Sequence, residues 1–389
     1  MQVAALRRVL FDLYGTVRFP DLAGLDTHDW QALDAMAAAA HMQPLLHVQH
    51  RGDARIPGDI AARWQSAFRT AAMQALAREA DLKACVASLT DAGLQPIALK
   101  GAWLARHAYP EPAQRPMLDI DLLLDPATVM AAWDLLRAQG YAEVMEAEMP
   151  LADILRLDKH LPPLVSPRGT LVELHQRLWE LPGRLDHLSP AGQDNAIRAR
   201  AVTVDGLRYP CGEDMLIHLI VHAAYSHRLD CGPRVLADID FLLRQVAIDW
   251  TGFWTRAACE GWRDGARLVL ELVAASRAGV TIDFTSDRGR PVPAEVRDGA
   301  IELLLIDQDR RASAGVAASA LKGGMGALLG RMLRRRTVTG EPASDAVRAP
   351  GGGLRWASGR AAQVMRDLST SDVRRQAGNL ARLSRWFDA

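Results

Sequence analysis

The sequence predicts an α+β fold, in which a small mixed sheet is flanked by N- and C-terminal helical regions. Ala- and Leu-rich segments of helical period dominate the first ninety residues, short apolar runs bounded by Gly and Pro follow, and helical segments then return. With 389 residues, 49% hydrophobic and 24% charged, the chain has a globular composition and enough length for more than one core. We predict four parts: an N-terminal helical region (1–90), a mixed-sheet core (91–210), a helical domain (211–285) and a basic C-terminal extension (286–389).

The longest predicted element is a helix that begins near Asp59 and ends before Gly93. Glycine commonly follows the last turn of a helix, and Asp91-Ala92-Gly93 provides that stop. Apolar residues recur along the segment at helical spacing: Ile60, Trp64, Phe68, Leu76 and Leu82. The pattern predicts one long helix.

Two short apolar runs predict the first strands of the sheet. The run LQPIALKG (94–101) leads into helical turns that Pro110 terminates. The run MLDIDLLL (117–124) is the second strand, and we expect Pro126 to open the helix that follows it.

Two hairpins and three helices follow along the chain. The segment 166–169, Ser-Pro-Arg-Gly, has Pro and Gly where a tight turn favours them, and TLVELHQ (170–176) is its return strand. A second hairpin turns at Asp205-Gly206. Helical periodicity then marks three segments: 213–227, 233–246 and 265–279.

The bulk composition excludes several classes of protein. Cys85, Cys211, Cys231 and Cys259 are widely spaced without a CxxC pair, so neither a zinc knuckle nor a disulfide framework is indicated. No uncharged apolar run is long enough to span a bilayer, and charged residues interrupt the N-terminal segment. We expect a cytoplasmic protein with reduced thiols.

Two aspartates share one face of the second predicted strand. Side chains alternate faces along a strand, so Asp119 and Asp121 point the same way, with α-carbons about 6.6 Å apart. Like charges in partly desolvated surroundings raise each other's pKa and are costly unless a cation lies between them. Carboxylate oxygens suit Mg²⁺ or Mn²⁺, which also bind the phosphate oxygens of a substrate. The strand therefore predicts a divalent-metal site.

A third carboxylate is expected from the return strand of the first hairpin. There Glu173 and His175 share one face, and Glu173 converges with the two aspartates if this strand packs beside theirs. Three such acids can hold two metal ions about 4 Å apart, an arrangement that stabilises the attacking and leaving oxygens of a phosphoryl displacement. The predicted reaction is nucleotidyl transfer, in which His175 orients the acid or contacts the nucleotide.

Phosphate-binding groups are predicted just upstream of the acidic strand. Gly101 lies at a strand-to-helix corner, where the missing side chain lets backbone N–H groups approach a triphosphate. Lys100 and Arg115 are available as phosphate-binding cations.

The order of these motifs resembles the uncharacterised nucleotidyltransferase family, a branch of the DNA polymerase beta-like nucleotidyltransferase superfamily. The resemblance covers about residues 25–250 and rests on these motifs: LKG (99–101), RPMLDIDLLL (115–124), VELH (172–175), EDMLIHLIVHAAYSH (213–227) and LADID (236–240). It implies a polymerase beta-like nucleotidyltransferase core with Mg²⁺ or Mn²⁺ as cofactor and an NTP as substrate, for which we expect ATP. By the same resemblance Asp119 and Asp121 are the paired metal ligands, Glu173 is the third acid and Gly101 is the glycine of the phosphate loop.

The acceptor and two other readings stay open. Some members look associated with peptide natural products, lasso peptides among them, so the acceptor is expected to be a small molecule, a peptide or a protein. Ala102 follows Gly101 where the superfamily loop usually has Gly or Ser, which favours a non-catalytic nucleotide-binding module. Residues 321–389 carry thirteen Arg and Lys against five Asp and Glu, and include RMLRRR (331–336). This basic tail favours nucleic acid as a partner and a toxin-like enzyme that modifies tRNA.

Two further candidates come from single motifs. His218 and His222 lie four residues apart on a predicted helix and could bind a metal with Asp238, but an apolar helix favours a structural or substrate-lining role. The segment VLFDLYGTV (9–17) looks like the first motif of haloacid dehalogenase-type hydrolases, with Asp12 in the nucleophile's place. Apolar residues at helical spacing favour a structural role for this segment instead: Leu6, Leu10, Leu13 and Val17.

Overall fold

The computed structural model of the chain has the predicted α+β architecture, a small mixed sheet with helices before and after it. It describes residues 2–144, 149–178, 190–306, 311, 313–315, 318 and 370–388. The basic segment RMLRRR (331–336) lies outside the described residues. No helix in the described ranges is both long enough and apolar enough to cross a membrane.

Four helices precede the sheet: α1 (Val3–Tyr14), α2 (Thr27–Ala39), α3 (Gln43–Gln49) and α4 (Gly58–Asp91). The prediction of one long helix is confirmed, and Gly93 adopts a left-handed φ of 79° just after α4. Leu76, which we placed in the apolar stripe, is instead 67% exposed. The reason is that the first part of α4 packs into one core and its last turns into another, while its middle lies between them.

The sheet has five short strands: β1 (Ile97–Ala98), β2 (Asp119–Leu123), β3 (Ala142–Glu143), β4 (Leu164–Val165) and β5 (Leu171–His175). Their spatial order is β1-β2-β5-β4-β3. Only β2 and β5 are parallel, and the other neighbours are antiparallel. The parallel register sets Asp121 directly opposite Glu173, so the acidic strand and the return strand of the hairpin are neighbours, which is the condition on which the predicted trio depended.

Helical turns flank the acidic strand on both sides: α5 (Gly101–Trp103), a π-helical turn (Leu104–Ala108), a 3-10 turn (Pro112–Gln114), α6 (Val129–Ala138) and α7 (Leu151–Leu157). The prediction that Pro126 opens the next helix is wrong, because α6 begins only at Val129. The carboxylate of Asp125 accepts a hydrogen bond from the Ala127 N–H, and this turn delays the helix.

The C-terminal half is helical after the second hairpin: α8 (Pro190–Arg200), β6 (Val202–Val204), β7 (Leu207–Tyr209), α9 (Gly212–Val221), a π-helical turn (His222–Ser226), α10 (Arg234–Leu243), α11 (Trp250–Glu260), α12 (Arg263–Ser276), α13 (Ala294–Leu304) and α14 (Ser371–Asp388). The hairpin β6–β7 forms where it was predicted.

Two hydrophobic cores support the site. One lies among α1 to α3, the first part of α4 and the helices α9 to α14, and the other lies between the sheet, the last turns of α4 and α6. Helices α13 and α14 are part of the first core, and Arg7 of α1 binds Asp372 of α14 at 2.8 Å. These parts of the C-terminal region therefore pack against the other helices of the first core, and the domain boundaries at 90, 210 and 285 stay predictions.

The dehalogenase-like segment is helical as far as Tyr14, where α1 ends. Leu6, Leu10 and Leu13 are buried along α1, whereas Val17 lies beyond the helix and is 45% exposed, so its place in the stripe was wrong. Asp12 pairs with Arg8 one turn earlier on the same helix, at 3.3 Å.

Candidate functional site

Three side chains converge where β2 and β5 run side by side. The Nε2 atom of His175 lies 2.9 Å from Asp121 Oδ1 and 3.4 Å from Glu173 Oε2. One ligand atom from each of these three residues lies within 4.8 Å of the others, so the group could hold a metal ion. Parallel register and side-chain alternation produce this convergence, because opposite residues of neighbouring strands share a face.

Asp121 is held as a carboxylate by two positive neighbours. Burial alone would raise its pKa, but the charge of Lys100 and the hydrogen bond from His175 hold the pKa well below its usual range. Lys100 Nζ lies 3.0 Å from Asp121 Oδ2. The Lys100 backbone has a φ of 37°, which is uncommon for a residue with a side chain. The predicted phosphate cation is thus paired with the predicted metal ligand, and its phosphate role stays a prediction.

Asp119 is the acid of the predicted trio whose pKa is raised. Burial raises its pKa to about 6, and the negative charge of Asp121 adds to the rise. Among the described residues it has no ion pair, and it is not part of the Asp121, Glu173 and His175 group. The predicted trio is therefore not symmetric, since Lys100 pairs directly with Asp121, whereas the charges of Lys100 and Arg115 offset the burial of Asp119 only in part.

The chemistry of these donors fits a divalent metal. The carboxylates of Asp119, Asp121 and Glu173 form an all-oxygen set of the kind that Mg²⁺ takes, and the imidazole of His175 suits Mn²⁺ and the later transition metals better. Burial raises the pKa of Asp119, and the nearby charges of Asp121 and Glu173 add to the rise, so a bound cation would favour its ionised form.

Gly101 and Arg115 meet beside the acidic strand. A Cβ on Gly101 would lie 2.5 Å from Arg115 Nη1, so the close approach of the guanidinium requires a residue without a side chain. Arg115 in turn binds Asp238 of α10 through two hydrogen bonds of 2.9 and 3.0 Å. Tyr109 donates a third hydrogen bond to Asp238, at 2.8 Å. These hydrogen bonds connect the segment just before β2 to α10. The phosphate-binding roles of Gly101 and Arg115 stay predictions.

Comparison with known families decides the assignment. The model of a family described as uncharacterised nucleotidyltransferase matches residues 26–276, well over half of the chain. The chain belongs to this family. Neither the curated proteins nor the solved structures gave a match. The family assignment covers the acidic strand, the return strand of the hairpin and the histidine-bearing helix.

Two residues of this family member that we had not predicted lie beside the acids. His160 donates from Nδ1 to the Leu161 carbonyl at 2.9 Å, which leaves Nε2 as an acceptor 3.9 Å from Glu173 Oε2. The negative charges of Asp121 and Glu173 act on its neighbour Lys159 and raise the pKa of that ammonium, although burial lowers it more. The tripeptide Asp-Lys-His directly before the hairpin could have drawn attention to them, because charged residues seldom border a buried strand without a partner.

The histidines of α9 lie near the site but do not form the metal group that we considered. Asp238 is engaged with Arg115, and the described residues bring no metal-binding group together from His218, His222 and Asp238. The pKa values of both histidines are held well below the usual range, first by burial and then by the charge of Lys100. Both imidazoles are therefore neutral and lie in the interior near Lys100, which agrees with a structural or substrate-lining role.

The raised pKa of Asp119 predicts a pH-dependent stability. Its folded pKa of about 6 exceeds the unfolded value near 4, so its favourable contribution is complete below that lower value and is lost as pH rises through about 6. In EDTA, Asp119→Asn should therefore gain stability relative to the wild type as pH rises from about 4 to 7. Urea unfolding across this range measures the difference, and a difference that does not change with pH would contradict the electrostatic description.

Replacing Gly101 with alanine should destabilise this family member by about 1–3 kcal/mol, because the new Cβ overlaps the Arg115 guanidinium and the overpacked site must shift. Gly24→Ala is the matched control, since a Cβ there meets nothing within 4 Å. Thermal unfolding of both variants tests this. Equal melting temperatures for the two would show that Arg115 moves aside without cost.

Proposed function

We propose that this protein is a metal-dependent nucleotidyltransferase that moves a nucleoside monophosphate from an NTP, with ATP expected, to an acceptor hydroxyl, phosphate or amine. The observation that carries the proposal is the register of β2 and β5, which sets Asp121 opposite Glu173 in a chain of a nucleotidyltransferase family. Two facing carboxylates with a third acid two residues away suit metal-assisted phosphoryl chemistry.

The three acids have the following roles in the proposed reaction. Asp119, Asp121 and Glu173 would hold Mg²⁺ or Mn²⁺, which when bound supplies positive charge to the phosphates of the NTP. In the reaction the acceptor atom bonds to the α-phosphorus, the bond to the pyrophosphate oxygen breaks, and the acceptor proton passes to a base. Glu173 is the proposed base: burial raises its pKa, but the hydrogen bond from His175 outweighs this, so the carboxylate is ionised.

His175 keeps the acids in place in this proposal. Burial lowers the pKa of His175, but its hydrogen bonds to Asp121 and Glu173 outweigh burial and raise it. The imidazole therefore donates from Nε2 toward both carboxylates and fixes their orientation. Contact with the nucleotide, the other role that we considered for His175, would need its opposite edge, where Nδ1 has no partner among the described residues.

The nucleotide would be bound from the side of Lys100, Gly101 and Arg115. While Asp121 is metal-free, Lys100 neutralises it at 3.0 Å. Once that carboxylate is shared with a metal ion, the Lys100 ammonium can turn to a phosphate oxygen instead. The helices after the sheet would form the acceptor pocket, and a small molecule, a peptide and a protein are all compatible acceptors.

Transfer of label from the α-phosphate tests the function. The protein is incubated with each α-labelled NTP and Mg²⁺ or Mn²⁺, alone and with cell extract, and both labelled products and released pyrophosphate are measured. We expect label on an acceptor and stoichiometric pyrophosphate, both abolished by EDTA. Saturable NTP binding without pyrophosphate release would instead favour a non-catalytic module, and label confined to tRNA would favour the toxin-like alternative.

A further inference from the structure

Lysine is rare in this chain, and half of its lysines lie at the candidate site. Of 46 Lys and Arg residues, four are lysines: Lys83, Lys100, Lys159 and Lys322. An ammonium is a compact point charge on a flexible stem, whereas a guanidinium is a rigid planar fork, so the two are not interchangeable. Lys100 and Lys159 both act electrostatically on Asp121. Two of the four lysines of this arginine-rich chain therefore lie near the acidic site.

The backbone of Lys159 is fixed against the end of β5. Its carbonyl accepts a hydrogen bond from the Gln176 N–H at 2.9 Å. Two residues further on, the Leu161 N–H donates a hydrogen bond to the Leu174 carbonyl at 3.0 Å. The backbones of His160 and His175 form an isolated antiparallel β-bridge. Lys159 is thus placed by the same strand that carries Glu173, rather than by a free loop.

The Lys159 side chain is half-buried, and its ammonium has no hydrogen-bond or ion-pair partner in the described part of the chain. Burial lowers its pKa, and the positive charge of Lys100 adds to the effect. Charged groups withdrawn from water are normally paired, because desolvation without a partner is costly. An anion beside Lys159 would remove that cost.

The surroundings do not supply that anion from the helical side. His227 lies within reach of the Lys159 charge, and burial together with this charge lowers its pKa to about 4. His218 and His222 are likewise neutral. The acids Asp121 and Glu173 are engaged by Lys100 and His175 at 2.9 to 3.4 Å. The negative charges that act on Lys159 are those of these two acids and of its neighbour Asp158, and none of them forms an ion pair with its ammonium in the described part of the chain.

We propose that Lys159 binds the phosphates of the substrate, in particular the pyrophosphate part that leaves. This inference rests on the proposed function, which brings a triphosphate to the acids of β2 and β5. Lys100 is committed to Asp121 in the metal-free site, whereas Lys159 has no ion-pair partner among the described residues and is available when the nucleotide arrives. A phosphate between Lys159 and a metal held by Glu173 would be bound from two sides.

Calorimetric titration with inorganic pyrophosphate and Mg²⁺ tests this directly. We expect Lys159→Met to weaken pyrophosphate binding by about tenfold to a hundredfold, the usual range for one hydrogen bond to a charged group. Lys83→Met is the matched control, since Lys83 pairs with Glu79 on the surface of α4, and its affinity should equal that of the wild type. Lys159→Gln removes the same charge with a polar side chain and is measured alongside, so that a folding defect in one variant does not decide the result.

Two results would overturn the inference: no pyrophosphate binding by the wild type, or equal binding by the wild type and both Lys159 variants. Failure of the proposed function is distinguishable from either. If the wild type binds pyrophosphate and transfers no label, the nucleotidyltransferase proposal fails, and the comparison with Lys159→Met still decides the role of the lysine. If transfer occurs, the KM for NTP should rise in Lys159→Met.

Discussion

The Asp119→Asn/Asp121→Asn double variant should lose nucleotidyl transfer by about a thousandfold or more. The acids would hold the metal whose charge stabilises the reacting phosphates, a contribution of several kcal/mol, and each 1.36 kcal/mol is about tenfold in rate. Asp119 lies on the same face of β2 as Asp121, which is one of the three converging ligands. Label transfer from α-labelled NTP measures the loss.

Folding of the double variant needs a control, because Asp121 also neutralises Lys100. Losing that carboxylate leaves a largely buried ammonium without its partner at 3.0 Å. Assays should therefore run well below the melting temperature of the variant, beside the single variant Asp119→Asn, which keeps the Lys100 pair. Asp153→Asn, whose side chain is exposed on α7, is the charge-matched control. Transfer that survives in the double variant would refute the metal assignment.

Asp238→Ala should destabilise the fold by about 3–5 kcal/mol, the cost expected when one partner of a buried ion pair is removed. Asp238 accepts hydrogen bonds from Arg115 and Tyr109, and the side chains of the Arg115–Asp238 pair are 7% and 4% exposed. The variant leaves a guanidinium buried over Gly101 without a counter-charge. Urea unfolding measures the change.

The matched comparison is an exposed pair of the same type. Asp153→Ala removes the partner of Arg156, whose side chain is 79% exposed, and should cost less than about 1 kcal/mol. Arg115→Met in the Asp238→Ala background should recover part of the loss, because the uncompensated charge is then absent. An Asp238→Ala variant as stable as Asp153→Ala would mean that the network does not hold the helical part against the strand.

Local patterns were sufficient to place most of the sheet. Alternation within MLDIDLLL put Asp119 and Asp121 on one face, and the Ser-Pro-Arg-Gly turn identified the hairpin that carries Glu173. Only one topological condition was added, that β5 lies beside β2, and the structure meets it. The length of α4 also followed from periodicity, although its exposed middle did not, because periodicity does not reveal that a helix spans two cores.

The sequence did not predict which distant residues pair with one another. Nothing local indicates that Arg115 binds Asp238, which is 123 residues away, or that Lys100 folds back onto Asp121. The difference between the two aspartates depends on that same pairing, since it lowers the pKa of Asp121 and leaves that of Asp119 raised. His160 and Lys159 were missed for a related reason, because their importance comes from a bridge to β5 and not from a motif.

Binding of Mn²⁺, followed by electron paramagnetic resonance with a non-hydrolysable NTP analogue, tests the metal site most directly. We predict that the wild type binds Mn²⁺ more tightly with the analogue than without it. Glu173→Gln, which changes one ligand oxygen and keeps the size of the side chain, should lose most of that binding. Equal Mn²⁺ affinity in the wild type and Glu173→Gln, with or without the analogue, would contradict the assignment of the acidic face as the metal site of a nucleotidyltransferase.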